Sequence, residues 1–465
     1  MTEEASVTKP PRRKLPAFVI PTIAGIAIFG LSIAAGLFVP SDAAPVPTPT
    51  EESRLVPDTI ADASPVRTCS IAAAVADARL GTATVHIRNA VTDEILYTFG
   101  EEPAVPMASV MKVVTAAVAL TALGPDATLT TRVVKGSTAG SVVLIGGGDP
   151  TLTAGNGTIY DGAPSIVDLA QQTISALQAA DPDDSVVTNV IVDLSMFPVD
   201  DAWHPSWPTK ERTDGYQPLI VPLMVDGDRA NPTRQTSPRS TDPSRRAADA
   251  FIAALRAEGN GDGAVTITFG SAPGNATQLA SVTSQPVSRL VAQMLPGSDN
   301  TLGEFLLRAS SVKLGLGGSA RSLQQTVEST ITRLGIDMSS GVFIDGSGES
   351  GNIKIPVSKL SDLLDYIFAE ASPLASVAAA LPVAGKSGTL ASRFAAPNAA
   401  ARGNVIAKTG WINGVYSLGG RITAADGTPL IAIVVARGTV SSTAMVAIDT
   451  VFTAGYTCGS NLASY

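Results

Sequence analysis

A run of 26 residues without a charged side chain, residues 15–40, constrains this chain more than any other feature. At about 1.5 Å per residue, a helix of that length crosses a bilayer with some tilt. Four basic residues between positions 9 and 14 precede the run and Asp42 follows it, so the positive-inside rule predicts a cytoplasmic N-terminus and an extracytoplasmic body. The run is longer than the apolar core of a cleaved signal peptide. We therefore predict an uncleaved anchor, with a cleavable signal ending near residues 41–43 as the alternative.

The rest of the chain divides by composition. Residues 41–66 hold five prolines among small and acidic residues, which is typical of an extended linker. Short strand-like runs with Gly, Pro and Asp turns begin near residue 131 and give way to longer amphipathic segments near 277, which indicates one domain interrupted by an insert. The predicted segments are a cytoplasmic tail at 1–14, the anchor at 15–40, the linker at 41–66, a main α/β domain at 67–130 plus 277–465, and a mostly-β insert at 131–276.

Composition excludes several classes of function. The chain carries 32 basic and 41 acidic side chains, a net charge of −9, and so lacks the basic surface of a nucleic-acid-binding protein. The sequence holds two histidines, His86 and His204, and two cysteines, Cys69 and Cys458, which are too few for a zinc site that uses several of them. No Gly-x-Ser-x-Gly motif occurs. We predict neither a metal nor a cofactor.

Hydrophobic periodicity gives a coarse order of elements. A strand hairpin and an Ala-, Leu- and Val-rich helix open the main domain, and three strands and a helix close it. The segment 225–247 is rich in Arg, Pro, Ser and Asp and is predicted to be surface loop. The predicted strands lie at 82–88, 94–99, 131–134, 141–145, 186–192, 404–408, 415–422 and 429–436, and the predicted helices at 109–123, 164–180, 285–295, 300–314, 320–334, 357–370 and 441–455.

Ser109 and Lys112 form a Ser-x-x-Lys pair at the start of a predicted helix. Positions i and i+3 share one face of a helix, so the hydroxyl and the amine can meet there. A partly desolvated lysine has a lowered pKa and can accept the serine proton, which makes the hydroxyl a nucleophile. The pair alone is a weak signal, because two further Ser-x-x-Lys pairs occur, one ahead of the anchor and one at Ser310.

Two more polar motifs follow. Ser298-Asp299-Asn300 lies after a Pro-Gly break and before an amphipathic helix, a position that also suits an ordinary loop and helix cap. Lys408-Thr409-Gly410 ends a predicted strand, where an amine and a hydroxyl suit a substrate carboxylate and the glycine admits substrate backbone. Lys386-Ser387-Gly388 competes for this last place, but no strand hairpin follows it.

The three motifs, in this order on a helix, a loop and a strand, are the signature of penicillin-binding proteins and serine β-lactamases. The stretches VLIGGGDPTL at 143–152, FIDGSG at 343–348 and KTGWINGVYSLGG at 408–420 resemble the low-molecular-mass class C penicillin-binding proteins, the serine D-alanyl-D-alanine carboxypeptidase/endopeptidase family. The resemblance runs from about residue 69 to residue 458. It implies an α/β (α+β) fold, an antiparallel sheet flanked by helices, with a large insert between the first two motifs.

The resemblance also implies catalytic roles. Ser109 is expected to be the acylated nucleophile, Lys112 its general base, and Ser298 the relay for the proton that reaches the leaving D-alanine. The main-chain N–H groups of Ser109 and Trp411 are expected to form the oxyanion hole, in which one donor lowers the barrier by roughly 3–4 kcal/mol.

The substrate-binding residues implied by the resemblance fall into two groups. The first holds the scissile end of the peptide: Asn300 for the substrate amide, and Lys408 and Thr409, beside Gly410, for the terminal carboxylate. The second forms a pocket for the third residue of the stem peptide and comprises Glu211, Tyr216 and Asn413. Family members often place an arginine where this chain has Gly351. The carboxylate that such an arginine would bind is therefore expected to be absent, amidated or held by other groups.

The function that this resemblance implies is hydrolysis of D-Ala-D-Ala bonds in peptidoglycan stem peptides, with endopeptidase activity on cross-bridges left open. β-Lactam antibiotics are expected to inhibit covalently. A serine β-lactamase on the same fold is the nearest alternative, but nothing in the sequence marks a dedicated deacylating base. An inactive wall-binding scaffold is a further alternative, although every hydroxyl, amine and amide of the three motifs is present.

Cys69 and Cys458 are predicted to form a disulfide. The anchor would place both in an oxidising compartment. The resemblance implies that the first and last elements of the main domain lie side by side, which would bring the two cysteines together. Two buried free thiols remain the alternative.

Overall fold

The computed structural model describes residues 66–100, 104–155 and 157–464. The predicted tail and anchor, and all of the linker except its last residue, lie outside the described residues. Within the described ranges, no helix combines the length and the apolar character needed to cross a membrane.

Twelve strands and eleven α-helices make up the described chain. The strands are β1 Thr82–Asn89, β2 Ile95–Phe99, β3 Ala104–Val105, β4 Thr130–Lys135, β5 Ser141–Ile145, β6 Asn189–Asp193, β7 Thr266–Phe269, β8 Gln278–Thr283, β9 Ile355–Pro356, β10 Val405–Ile412, β11 Val415–Thr423 and β12 Pro429–Arg437. The helices are α1 Ala72–Val75, α2 Met111–Ala122, α3 Ile166–Ala180, α4 Lys210–Asp214, α5 Pro243–Leu255, α6 Val287–Gly297, α7 Asn300–Lys313, α8 Leu323–Ile331, α9 Val357–Phe368, α10 Ala375–Ala380 and α11 Ala444–Cys458.

The main sheet is antiparallel, in the order β10-β11-β12-β1-β2. Its first and last strands in sequence are neighbours, because β1 pairs with β12 and sets Val85 opposite Val434. Successive side chains of β12 alternate between two cores: Ile431 and Ile433 face one, whereas Val434 belongs to the other. Because alternate side chains point to opposite faces, both faces of this nearly continuous apolar strand are buried. The predicted hairpin and the three predicted C-terminal strands are confirmed.

Helices cover both faces of this sheet. Helix α2 lies in the larger core with α6, α7 and α8 packed around it. Its residues Met111 to Leu120 are all buried. Apolar side chains lie on every side of the helix, and the two polar side chains in this stretch, Lys112 and Thr115, are buried with them. Helices α1 and α11 pack together on the opposite face. There Cys69 and Cys458 are joined by a disulfide, so the predicted bridge is confirmed.

The insert is not mostly β, contrary to the sequence-based expectation. It forms a mixed sheet in the order β7-β6-β5-β4-β8, with parallel pairing from β5 to β7 and antiparallel pairing around β4. Helices α3 and α5 pack on each other and share one apolar core with the sheet. The helices bury the face of β6 that carries Val190 and Val192, whereas the edge strand β7 stays largely exposed. Strand β8 belongs to this sheet although it follows the predicted end of the insert at 276.

The prediction of surface loop for the segment 225–247 holds only in part: most residues of 230–242 are exposed and lie outside the helices and strands, but the segment's two ends are buried. Arg229 and Arg239 are buried, and helix α5 begins within the segment at Pro243, with the Asp242 side chain accepting a hydrogen bond from Arg245 N–H as its N-cap. Part of the polar composition therefore reflects buried hydrogen bonds, and the rest reflects contact with solvent. One of those arginines reaches the second sequence motif.

Candidate active site

Ser109 lies in a single 3-10 turn, Ala108–Val110, that leads directly into α2. This turn rests on strand β10 and on β11, where the Ser417 hydroxyl donates to the main-chain oxygen of Met107 at 2.7 Å. Gly410 makes the approach possible: a Cβ atom there would overlap the Met107 oxygen and the Ser417 hydroxyl. The first and third motifs are therefore pressed together by the packing of α2 on the main sheet.

Lys112, in the first turn of α2, is fully buried and its amine has three neighbours. Nζ lies 2.7 Å from Asn300 Oδ1, 2.6 Å from the main-chain oxygen of Ser347 and 2.9 Å from Ser109 Oγ. The first two neighbours can only accept hydrogen bonds, so they take both N–H groups of a neutral amine. The remaining lone pair is then directed at the Ser109 hydroxyl, which is the geometry of a base that removes its proton.

Electrostatics set how readily Lys112 becomes neutral. Burial lowers the pKa of Lys112 to about 8, against the opposing effect of four acidic side chains that favour its charged form. Those four are Glu349, Asp345, Asp299 and Glu304. A substantial fraction of the amine is therefore unprotonated at mildly alkaline pH.

Ser298 and Lys408 bring the second and third motifs together. Lys408 Nζ lies 2.8 Å from Ser298 Oγ and 2.9 Å from the main-chain oxygen of Thr409. Burial and the neighbouring charge of Lys112 hold the pKa of Lys408 well below its usual range. A substrate carboxylate close by would favour the charged form again. Thr409 Oγ1 is paired with Thr389 Oγ1 at 2.8 Å.

The middle residue of the second motif, Asp299, is held by the insert. Its Oδ2 lies 2.7 Å from Arg229 Nη2 in an ion pair with both side chains buried, and it accepts from the Tyr160 hydroxyl and from Gln235 Nε2. Burial opposes ionisation, but Arg229 and Arg239 outweigh it and lower the pKa of Asp299. The other carboxylate oxygen caps α7 by accepting from Leu302 N–H. Asp299 thus fixes the loop in which Ser298 adopts a left-handed conformation, with φ 58°.

A buried loop supplies the main-chain oxygen that holds Lys112. Asp345 accepts from the N–H groups of Gly348 and Ser350 and from Trp207 Nε1, and Glu304 accepts from the N–H groups of Gly346 and Ser347. Burial and the neighbouring charge of Asp345 hold the pKa of Glu304 well above its usual range. The two acids fix the position of the Ser347 carbonyl.

A cavity of about 720 Å³ opens over Ser109. Lys112 and Lys408 lie behind its wall, whereas Ser298, Asn300, Thr409 and Trp411 line it. The residues predicted for the third-residue pocket, Glu211, Tyr216 and Asn413, line the same cavity, as does Gly351. The Trp411 side chain is 51% exposed and meets Tyr216 edge to face, with ring centroids 6.2 Å apart.

Every residue of the three predicted motifs, and each of the three pocket residues, thus belongs to one site. Sequence reasoning missed Glu349, Arg229, Asp345 and Glu304. Glu349 lines the cavity, and its Oε2 accepts from Asn300 Nδ2 at 3.0 Å. Its place directly after the FIDGSG stretch was the available signal. Arg229 gave none, because a buried arginine in a polar segment has the composition of a surface loop. Within the described residues, no group of three or more His, Cys, Asp or Glu side chains is placed to hold a metal.

Comparison with known proteins gives consistent matches. The profile of the D-Ala-D-Ala carboxypeptidase 3 (S13) family matches residues 68–238 and 229–454. Carboxypeptidase DacB of Mycolicibacterium smegmatis is 34% identical over 94% of this chain and 96% of its own length. A carboxypeptidase of Mycobacterium tuberculosis is 35% identical over 84% of this chain and 85% of its own.

Among solved structures, penicillin binding protein 4 of Haemophilus influenzae aligns with a TM-score of 0.66 at 20% identity, covering 80% of this chain and 96% of that one. The same fold is therefore present in both proteins. The antiparallel sheet with flanking helices agrees with the fold expected from the sequence.

Proposed function

This chain belongs to the D-Ala-D-Ala carboxypeptidase 3 (S13) family and is a serine-type D-Ala-D-Ala carboxypeptidase, and we propose that Ser109 is its nucleophile and peptidoglycan stem peptides are its substrates. One observation carries the assignment: the Lys112 amine donates to two acceptors and turns its third position toward Ser109 Oγ at 2.9 Å. Ser310, the other described serine in a Ser-x-x-Lys pair, instead donates to the main-chain oxygen of Leu306.

Acylation follows from this geometry. Ser109 Oγ transfers its proton to Lys112 Nζ and attacks the carbonyl carbon of the penultimate residue. The resulting oxyanion is stabilised by the main-chain N–H groups assigned to Ser109 and Trp411, each worth roughly 3–4 kcal/mol. The C–N bond then breaks. The proton reaches the leaving D-alanine amine through Ser298, whose hydroxyl bridges the cavity and Lys408.

Deacylation completes the hydrolysis. Water attacks the ester on Ser109, and the serine recovers a proton as the shortened peptide leaves. The Thr409 hydroxyl lies on the cavity wall, with Lys408 directly behind it. These two residues suit the terminal carboxylate of the substrate, Lys408 through its charge and Thr409 through a hydrogen bond.

The third-residue pocket and the anchor are further parts of the proposal. Glu211, Tyr216 and Asn413 line the cavity and are proposed to contact the side chain of the third stem residue. Stem peptides that differ only at that residue test this contact through kcat/KM. The uncharged run 15–40 supports an anchored, extracytoplasmic enzyme. A variant without this run is expected in the soluble fraction, whereas the full chain should sediment with membranes.

The nucleophile is tested by covalent labelling. Benzylpenicillin presents a strained amide whose leaving group stays tethered, so we expect a long-lived adduct with Ser109 that peptide mapping locates. Ser109→Ala should abolish the adduct, whereas the matched control Ser310→Ala should retain it. An adduct on Ser310 or Ser387, or none, would refute the assignment. Rapid penicillin turnover without loss of D-alanine from stem peptides would favour the β-lactamase alternative.

A further inference from the structure

Glu349 is a carboxylate in the active-site cavity that the proposed mechanism leaves without a role. It lies on the loop that supplies the Ser347 carbonyl to Lys112, two residues beyond that carbonyl. Its Oε2 accepts from Asn300 Nδ2 at 3.0 Å, while Asn300 Oδ1 accepts from Lys112 Nζ at 2.7 Å. A continuous hydrogen-bonded chain therefore runs from Glu349 through Asn300 and Lys112 to Ser109.

The chemistry of each group fixes the direction of that chain. The Lys112 N–H groups only donate, so Asn300 must turn its oxygen toward Lys112 and its amide nitrogen away. The amide nitrogen then needs an acceptor, and the Glu349 carboxylate supplies it. With this acceptor in place, the opposite orientation of Asn300, which would aim N–H groups at Lys112, is disfavoured.

We propose that Glu349 is a positioning residue for acylation, which locks the Asn300 amide in its working orientation and, through its negative charge, sets the pH at which Lys112 becomes the free amine. This inference rests on the proposed function, since it needs Lys112 to act on Ser109. The carboxylate acts through Asn300 and Lys112 and does not itself exchange protons with the substrate.

The surrounding charges define what a change at position 349 would do. Burial and the negative charge of Glu211 raise the pKa of Glu349 to about 7, against the opposing charge of Lys112. An anion at Glu349 stabilises the Lys112 cation, so its removal should lower the pKa of Lys112 further. The other charged or titratable groups that face this pair are Asp345 on the same loop, Asp299, Glu304 and Lys408, and the cavity wall adds Glu211, Lys210, Arg229 and Arg239.

Two substitutions separate the charge from the hydrogen bond. Glu349→Gln keeps a side-chain oxygen of the same reach for Asn300 Nδ2 but removes the charge. Glu349→Asp keeps the charge but shortens the side chain by one methylene, so it withdraws the acceptor from Asn300. Glu370→Gln, at an exposed residue outside the site, is the matched control for loss of a glutamate charge.

The readout is the second-order rate of acylation by a fluorescent penicillin, measured with the full chain between about pH 5 and pH 10. For Glu349→Gln we expect the acidic limb of the profile to move to lower pH by about one pH unit, with an alkaline plateau within about threefold of wild type. For Glu349→Asp we expect the limb in its wild-type place and a plateau lowered about tenfold or more. Glu370→Gln should match wild type in both respects.

Each variant can overturn the proposal independently, so failure of one to fold leaves the other decisive. Folding is checked by near-ultraviolet circular dichroism. The proposal would be refuted if the acidic limb of the Glu349→Gln profile lay at the same pH as in wild type. It would also be refuted if the alkaline plateau of Glu349→Asp equalled that of wild type. If the wild-type protein forms no adduct at any pH, the proposed function itself fails, and the two failures are thereby distinguished.

Discussion

The buried pair between Arg229 and Asp299 makes the strongest prediction about stability. In Arg229→Met, the methionine fills much of the arginine's volume but cannot pair with the carboxylate. Asp299 then keeps the hydrogen bonds from Tyr160, Gln235 and Leu302 N–H but loses its ion pair. Removing one partner of a buried ion pair typically costs about 3–5 kcal/mol, because the other charge stays buried and uncompensated. The side chains of Arg229 and Asp299 are 1% and 2% exposed, so we expect a loss in that range.

The measurement is the free energy of unfolding of the purified protein in urea, in a cycle with Asp299→Asn and the double variant. Asparagine can still cap α7 and carries no charge that needs Arg229. The loss of unfolding free energy in the double variant should therefore be clearly smaller than the sum of the losses in the two single variants, with a coupling energy of about 2–3 kcal/mol. Arg245→Met is the control, since its ion pair with Asp249 is 56% exposed on both sides and should contribute less than about 1 kcal/mol.

The pH dependence gives a second check. The folded protein lowers the pKa of Asp299, so the stability gained from this group is fully present above the unfolded value near 4 and is lost as pH falls through the lower folded value. The difference in free energy of unfolding between the wild-type protein and Arg229→Met should therefore become smaller below about pH 4. A loss of less than 1 kcal/mol at pH 7, or additive behaviour in the cycle, would contradict the argument.

Three further predictions concern the site and the fold. Lys408→Ala should lower kcat/KM on a D-Ala-D-Ala peptide by about 30- to 1,000-fold, because it removes a buried charge-assisted contact worth about 2–4 kcal/mol. Lys386→Ala, at an exposed residue, should lower kcat/KM less than about threefold, and the reverse order would assign the third motif to Lys386. Acylation of the wild-type protein should rise with pH around a midpoint near 8, since the pKa of Lys112 is lowered to about 8; a profile that is flat between pH 6 and 9 would exclude Lys112 as the base. Replacing Cys69 and Cys458 by serine should lower the free energy of unfolding by about 2–4 kcal/mol, because the bridge closes a loop across 389 positions. Titration of the unfolded, unreduced wild-type protein should find no free thiol, and two thiols per chain would disprove the bridge.

The sequence alone predicts the strands of the main sheet and the three motifs, because both depend on local patterns. Strands such as β12 are short apolar runs between turn residues, and the motifs are contiguous in the chain. The insert was harder to predict: helix α5 begins with Asp242 and Pro243, an N-cap and first-turn pair, but its arginines made the window resemble a loop. Composition cannot distinguish a polar segment in water from one whose charges are paired inside the protein.

The supporting residues of the site were beyond sequence reasoning for a related reason. Glu349 acts on Lys112 only because Asn300, 49 positions away along the chain, is brought to 3.0 Å from it. Arg229 meets Asp299 across 70 positions. These pairings arise from tertiary packing, and no local periodicity encodes them.

The pairing of β1 with β12 also dictates the order in which this protein can be assembled. Among the described strands, β1 is the first and pairs with β2 on one side, while its neighbour on the other side, β12, is the last. Until β12 is present, β10 and β11, on which the Ser109 turn rests, are not joined to β1 and β2 in one sheet. Contacts so distant in sequence make folding slow and leave apolar surface exposed while the chain is incomplete. A chain cut short before β12 would therefore hold all three motifs and still be unable to complete the site.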